Sequence, residues 1–363
     1  MTSVASPLLA APGALYRNPR MGDLVIRTSD GIEFHVYQAI ISAASPLFLD
    51  MFTLPQPPSP PAPAGKPSVD VAEDSSVWST LIMLCYAPRP PVPDDFADLD
   101  AARALLDAAV KYEMAVAVEF ARMGLLLGKF VEEQPFSVYA LGCAYKLPDV
   151  ARAAARRTLR FPIYFEHTKE LDLVPLRVYH RLSEYRRKCG VFSRELVRED
   201  GVPQSAEVEK HTTRVQLKTS ERSDEQDSTQ IPHIYVYKEV PFDLLQPMCR
   251  GGTGCARTYG EFSYGPSVEL ERDSGFGSRR WNSRRVTGQF YSAAMKYMET
   301  LYVRLEFLPD ANLACSKPLL QPIIDTTCSV CLKTIHQNVS RFSEALRDAI
   351  EDIISQVELE IDE

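Results

Sequence analysis

The sequence predicts an α+β fold, with a small β-sheet capped by helices in the N-terminal third, a helical extension after it, and a mostly α-helical C-terminal domain. Two observations lead to this class. Residues 23–36 contain two short runs rich in β-branched and aromatic residues on either side of Asp30-Gly31, which is typical of a β-hairpin. Most later segments repeat apolar residues at spacings of three and four, which indicates helices packed on one face.

Composition sets the broad class of the protein. The chain has 363 residues, enough for two or three domains, and 24% of its residues are charged, as in ordinary globular proteins. Its net charge of -8 gives no overall reason to expect nucleic acid as a partner. No run of about 18 apolar residues predicts a membrane span, and the first residues do not resemble a signal peptide. We therefore expect an intracellular protein, in the cytoplasm or nucleus, whose eight cysteines are reduced thiols or metal ligands.

The first strands and helices follow from local signals. Residues 23–28 and 32–36 are predicted to pair as a hairpin. Ser45 is a good N-cap and Pro46 a good first helical residue, so one helix ends before Ser45 and another begins after it. The first of these helices places Ala39, Ile40, Ala43 and Ala44 on one face. The second is predicted to bury Leu47, Phe48, Met51 and Phe52.

The next segment begins with a proline-rich loop at 55–67, because proline lacks the amide donor that regular structure needs. A short strand is predicted at 68–71, and helices follow it. Their predicted buried positions are Val77, Trp78, Leu81, Ile82 and Cys85; Leu105, Leu106, Ala109 and Val110; Val116, Phe120, Met123 and Leu127; and Val138, Leu141 and Ala144. A helix from Asp149 carries an arginine row, interpreted as a solvated face, and residues 175–190 form one more helix.

Composition shifts suggest the domain boundaries. We expect a flexible tail at 1–19, a first domain at 20–128, a helical extension at 129–198, a linker at 199–230 and a C-terminal domain at 231–363. The linker is assigned because that segment holds almost no large apolar side chains.

The N-terminal third resembles a known family. The pattern has Asp23 in the first strand, Phe34-His35 in the second, then QAIISAASPLFLDMF with Ser45, Pro46 and Phe52, then DVAEDSSVWSTLIMLCYAP and ALLDAAVKYEM. In this order the elements resemble the BTB/POZ domain, and they look most like the BTB proteins of basidiomycete fungi. The resemblance covers about residues 20–128.

The resemblance implies that the first helical pair lies at a homodimer interface. The interface residues implied by position are Ala39, Ile40, Ala43, Ala44 and Phe48. The alternative is that these side chains belong to the core of a single chain.

Two family features are not matched. Many members pair the strand-one aspartate with a basic residue after the second strand, but here Tyr37-Gln38 stand at that place. Some members recruit a cullin-type ubiquitin ligase through a hydrophobic-x-Glu motif, but the corresponding residues 53–56 read TLPQ and lack the acid. The residues therefore support neither the charged pocket nor cullin binding.

The C-terminal half contains two cysteine pairs, Cys249 with Cys255 and Cys328 with Cys331. Four thiolates can hold a structural zinc ion, although the first pair is widely spaced; the alternative is four thiols that only pack. The basic segment 278–285 is interpreted as a surface loop, with nucleic-acid contact as the alternative.

Two long helices are predicted near the C-terminus. One, over 288–307, buries Tyr291, Ala294, Tyr297, Met298, Leu301 and Leu305. The last helix has apolar residues at alternating spacings of four and three: Ile335, Val339, Phe342, Leu346, Ala349 and Ile353. We expect the two helices to form an antiparallel hairpin; the alternative is a coiled coil with a second chain.

The sequence indicates a binding protein rather than an enzyme. The six histidines match no metalloprotease spacing, and no nucleophile elbow or dinucleotide fingerprint occurs. The leading hypothesis is a non-catalytic adaptor that pairs through its BTB domain and holds other protein partners. The alternatives are a zinc-stabilised nuclear regulator that contacts nucleic acid, and a substrate receptor for a cullin-type ligase.

The zinc hypothesis makes a direct prediction. A site built from the four cysteines would retain one zinc ion per chain in a chelator-free preparation, because structural zinc sites bind tightly. Metal analysis of the purified peak would measure it, and a preparation without zinc would leave the cysteines as thiols.

Overall fold

The computed structural model describes residues 16–54, 66–86, 96–162, 167–197, 213–216, 233–236, 259–261, 285–327 and 332–361. The chain divides into two compact units. The first contains the chain up to Arg157, together with Thr168–Val174 and the last three residues; the second contains Thr158–His167 and Pro175–Glu360. The described part is mostly helical, with a small three-stranded sheet in the first unit, which confirms the α+β class at this level.

The sheet of the first unit consists of β1 (Leu24–Arg27), β2 (Glu33–Val36) and β3 (Ser68–Asp70), in the order β2-β1-β3. The predicted hairpin is confirmed: β1 and β2 are antiparallel, with Leu24 opposite Val36, and β3 runs parallel to β1. Gly31 closes the turn at φ 78°, a conformation that a side chain disfavours, and its N–H donates to the Thr28 carbonyl at 2.9 Å.

A helical pair follows the hairpin, as predicted. Helix α1 is Gln38–Ala44 and α2 is Pro46–Thr53. The Ser45 hydroxyl accepts the Phe48 N–H at 3.2 Å, and Pro46 is the first residue of α2, so both predicted start signals are confirmed.

Six further helices belong largely to the first unit. They are α3 (Ser75–Tyr86), α4 (Leu99–Lys111), α5 (Ala115–Leu127), α6 (Phe130–Glu133), α7 (Pro135–Ala144) and α8 (Pro148–Thr158), with a 3₁₀ helix at Lys169–Leu173. The core contains the fully buried Trp78, Leu81 and Ile82 of α3, together with Leu106 of α4.

Helix α5 buries a different face from the predicted one. Val116 is 45% exposed and Leu127 is 67% exposed, whereas the buried residues are Ala117, Ala121, Gly124 and Leu125. The reason is close packing by small residues: a Cβ on Gly124 would lie 2.4 Å from the Phe96 ring. The predictions for Val110, Leu47 and Ala144 are also wrong, because all three side chains are exposed.

In its described residues, the second unit contains four helices. They are α9 (Leu176–Leu196), α10 (Gly288–Phe307), α11 (Lys317–Asp325) and α12 (Leu332–Gln356), with a 3₁₀ helix at Ala311–Cys315. Two short antiparallel ladders lie in the same unit and join β4 (Thr213–Gln216) to β5 (His233–Val236) and β6 (Tyr259–Glu261) to β7 (Arg285–Thr287). Thus β4 falls within the predicted linker.

The apolar stripe of α12 matches the prediction, and five of the six predicted positions of α10 are buried: Ala294, Tyr297, Met298, Leu301 and Leu305. The sixth, Tyr291, lies outside the residues whose side chains are described. The packing of the two helices differs from the prediction. All six predicted positions of α12 are buried in this chain, so the coiled coil with a second chain is not needed to cover them. Helix α12 packs mainly on α9 and on the 3₁₀ helix at Ala311–Cys315. Helix α9 packs on both α10 and α12, and we therefore correct the predicted two-helix hairpin to a packing that includes α9. The prediction had placed α9 in a separate extension.

Close approach of α9 and α10 generates a stability prediction. A Cβ on Gly190 would lie 2.7 Å from the Glu306 carbonyl oxygen, a backbone atom that moves only with its helix. We expect Gly190→Ala to destabilise the protein by about 1–3 kcal/mol, even though alanine is the better helix former. Chemical denaturation would measure the change. The exposed Ser183→Ala in the same helix serves as the control, and an unchanged or raised stability of Gly190→Ala would contradict this packing.

Candidate interaction surface

A shallow depression of about 560 Å³ lies on the outer side of the first helical pair. Its lining residues are Asp23, Gln38, Ala39, Ser42, Ala43 and Leu49. Asp23 comes from the residue before β1, the next four from α1, and Leu49 from α2. We call this set, with Ile40 and Leu47, the α1–α2 surface.

The α1–α2 surface is poor in charge. Asp23 is the one charged residue among those that define it, and between Gln38 and Thr53 Asp50 is the only charged residue. Leu47 is 41% exposed and Leu49 is 49% exposed, and Ala39 and Ala43 are also exposed. Small and apolar side chains open to solvent over two consecutive helices form a surface that another apolar surface can cover.

Asp23 has a structural partner. Its Oδ1 accepts the N–H of Gln38 at 2.7 Å, and its own N–H donates to the Val36 carbonyl at 3.0 Å. Helix α1 has no capping side chain of its own at Tyr37, so Asp23 supplies the acceptor from the neighbouring strand. The family resemblance assigns Asp23 to a charged pocket. Here its carboxylate instead accepts the N–H of Gln38, the first residue of α1.

The five predicted interface residues divide into two groups. Ala39 and Ala43 are exposed, and Ile40 and Ala44 are half-buried, so this face of α1 is open over part of its area. Phe48 is only 2% exposed and points into the core of its own chain, which corrects its assignment to the interface. Its ring stacks on Tyr112 at 5.2 Å and meets Trp78 edge-on at 6.0 Å.

Ser45 fixes the helical pair against α4. Its hydroxyl, fully buried, donates to the carbonyl of Tyr112 and accepts the Phe48 N–H. The Tyr112 ring covers Phe48 on the same side, so one residue of the α4 C-terminus contacts both ends of the first turn of α2. The helical pair that forms the α1–α2 surface is therefore anchored to Tyr112 through Ser45 and Phe48.

Tyr112 is itself held by a hydrogen bond to the Glu73 carboxylate. The Tyr112 hydroxyl donates to Glu73 Oε2 at 2.6 Å, and Lys111 Nζ donates to Glu73 Oε1 at 2.8 Å. Burial raises the pKa of the Glu73 carboxyl, but the hydrogen bonds from Lys111 and Tyr112 outweigh it, and the net pKa is lowered. Burial and the bond to Glu73 raise the pKa of Tyr112 to about 12, so its hydroxyl remains a donor at neutral pH.

The other residues of the family pattern lie within the fold. Phe34 is fully buried in β2, and His35 is buried opposite Val25, with no hydrogen-bond partner for its Nδ1 among the described residues. Phe52 is half-buried and its ring lies 5.8 Å from that of Phe48. These residues are core and framework.

The predicted zinc ligands Cys249, Cys255, Cys328 and Cys331 lie outside the described residues, as does the basic segment except Arg285. Within the described ranges, no group of three or more metal-ligating side chains is placed to hold a metal ion. In the same ranges, no helix combines the length and apolar character needed to cross a membrane.

Sequence reasoning missed Ser42, Leu47 and Leu49 as surface residues. The signal was present in composition: α2 has eight residues, five of them large and apolar, and so short a helix cannot bury all of them on one face. Which of these five side chains remain exposed depends on packing against Tyr112, which is distant in sequence.

No family model matches this chain, and no curated protein matches it.

The Glu73 network predicts an acid sensitivity. Because its folded pKa is lowered, Glu73 contributes stability that is complete above its unfolded pKa of about 4.5 and is lost as pH falls through the folded value. We expect Glu73→Gln to lower stability at pH 7 and to flatten the loss of stability between about pH 5 and pH 3. Urea denaturation across that range would measure it. Glu133→Gln, which changes an exposed carboxyl of α6, is the control; equal slopes for the two variants would contradict the network's role.

Proposed function

We propose that this chain is a non-catalytic protein–protein interaction protein whose N-terminal unit is a BTB/POZ-like module that pairs through the α1–α2 surface. Its mechanism is the burial of apolar surface between two chains, and it requires no chemical step. The observation that carries the proposal is the exposed, almost uncharged surface formed by Ala39, Ala43, Leu47 and Leu49.

The order of elements supports the proposed module. A hairpin, a helical pair, a third strand parallel to the first and then the first three of six further helices follow one another among the described residues of the first unit. The resemblance implies the same arrangement, a small sheet capped by helices. The order of elements thus supports the architecture of the module, and its pairing with a protein partner is proposed.

The chemistry of the surface supports pairing between proteins. Interface centres are depleted of charged residues, and α1 and α2 carry Asp50 alone. A specific interface buries roughly 800 Å² on each partner, more than this depression supplies, so contacts around its edge must contribute. Leu47 and Ile40 provide apolar area there.

The second unit supports an adaptor role in a more general way. Helices α9, α10 and α12 pack into their own core, with Leu301, Phe342 and Leu346 fully buried. A unit with its own core can hold a further partner while the first unit pairs. We propose protein clients for it.

Self-association tests the proposal. We expect the wild-type chain to elute as a dimer, near twice 40.7 kDa, in size-exclusion chromatography with light scattering. Ala43→Arg places a long cation on the exposed face near the end of α1, where it does not disturb the single-chain core. It should raise the dissociation constant at least tenfold, about 1.4 kcal/mol.

The matched control is Ala144→Arg, which also changes an exposed alanine in the last turn of a helix of the same unit. It should leave the dissociation constant unchanged. A wild-type monomer at all concentrations, or equal effects of the two variants, would contradict pairing through this surface.

A further inference from the structure

We propose that residues 16–22 form a strap that holds the start of helix α1, so that release of the strap loosens the α1–α2 surface. The strap lies in a segment that sequence analysis had assigned mainly to a flexible tail; residues 16–19 of that tail are described and make contacts. Where the inference concerns pairing, it rests on the proposed function.

Aromatic and cationic contacts hold the beginning of the strap. The ring of Tyr16 lies 4.7 Å from that of Tyr86, the last residue of α3. The guanidinium of Arg17 lies 5.9 Å from the ring centroid of Phe34 in β2. Such contacts are individually weak at partly exposed sites, so the strap is held but can be displaced.

A lysine holds the middle of the strap. Lys66 Nζ donates to the carbonyls of Pro19 at 2.7 Å and Met21 at 2.8 Å. Lys66 directly precedes the segment that pairs with β1, since the Pro67 carbonyl accepts the Val25 N–H at 2.9 Å. The two hydrogen bonds from Lys66 therefore connect the strap to the segment that leads into β3, at the edge of the sheet.

The end of the strap passes close to β2. Gly22 has φ 67°, and a Cβ on it would lie 2.2 Å from the Val36 carbonyl oxygen. Only glycine fits there, and it leads directly into Asp23. Thus the end of the strap lies next to Val36 in β2, the strand that leads into α1, while its beginning packs on Tyr86 of α3.

Helix α1 depends on acceptors from these neighbours. The first amides of a helix have no partner within the helix, and the capping residue Tyr37 makes no side-chain cap. The Tyr37 N–H donates to the hydroxyl of Tyr86 at 2.7 Å, and the Gln38 N–H donates to Asp23 at 2.7 Å. Tyr16 packs on the first acceptor, and Gly22 positions the second.

The strap is therefore coupled to α1 through two residues, Tyr86 and Asp23. Displacing Tyr16 frees the Tyr86 ring, whose hydroxyl then holds the Tyr37 amide less well. Helix α1 has only seven residues, too few to persist without such contacts, and five of its residues belong to the α1–α2 surface. Displacement of the strap would thus reduce the order of the pairing surface while the rest of the unit stays folded.

Hydrogen exchange on the full-length chain tests the coupling. Tyr16→Ala removes the ring contact with Tyr86, and Lys66→Met removes both hydrogen bonds from Lys66 to the strap. Tyr86→Phe removes the acceptor hydroxyl while keeping the ring. We expect each variant to speed exchange of residues 37–44 by about three- to tenfold, with exchange in α4 unchanged. The dissociation constant of the dimer should rise by a similar factor.

Arg20→Ala is the matched control, since this exposed strap residue contributes a backbone N–H to Asn18 and keeps it after substitution. Unchanged exchange of residues 37–44 in Tyr16→Ala and Lys66→Met would overturn the strap. Faster exchange throughout α4 would also overturn it, because the contacts would then be general packing. A wild-type monomer would refute pairing alone, and exchange would still decide the strap.

Discussion

The first unit depends on a single residue, Tyr112, at which three helices meet. Its carbonyl accepts the Ser45 hydroxyl at the start of α2, its ring stacks on Phe48, and its own hydroxyl donates to Glu73 just before α3. Trp78 of α3 lies 5.2 Å from the same ring. The buried Ser45 hydroxyl and the Glu73 carboxylate thus both find their hydrogen-bond partners on Tyr112, and leaving a buried polar group such as this hydroxyl unpaired would cost about 1–3 kcal/mol.

This constraint also decides which side of α2 faces solvent. Phe48 must turn inward to meet Tyr112, and the adjacent Leu47 and Leu49 then remain partly outside. The exposed apolar area follows from the anchoring of the core, which gives the surface a defined shape. For the proposed pairing, a surface held in this way would lower the entropic cost of association, because fewer side chains must be ordered on binding.

The turns that follow α4 and α7 have the same conformation. Helices α4 and α7 each end in a tyrosine followed by a left-handed residue, Glu113 at φ 54° and Lys146 at φ 56°. In both turns the next apolar residue, Met114 or Leu147, returns its N–H to a carbonyl in the last turn of the helix, at 2.8 Å and 2.7 Å. The chain uses the same turn twice to start a helix directly after another.

The sequence by itself determined the elements whose signals are local. Asp30-Gly31 specifies the hairpin, Ser45-Pro46 separates α1 from α2, and the spacing of Ile335 to Ile353 defines the buried face of α12, because each signal acts within a few residues. Only the tertiary structure decided that Leu47 stays outside while Phe48 turns inward, that α5 buries Ala117 and Ala121, and that α12 packs on α9. In these cases a helix offers more than one apolar face, and a neighbour distant in sequence selects among them. The strap on α1 belongs to the same group, since its contacts join Tyr16 to Tyr86 and Lys66 to Pro19.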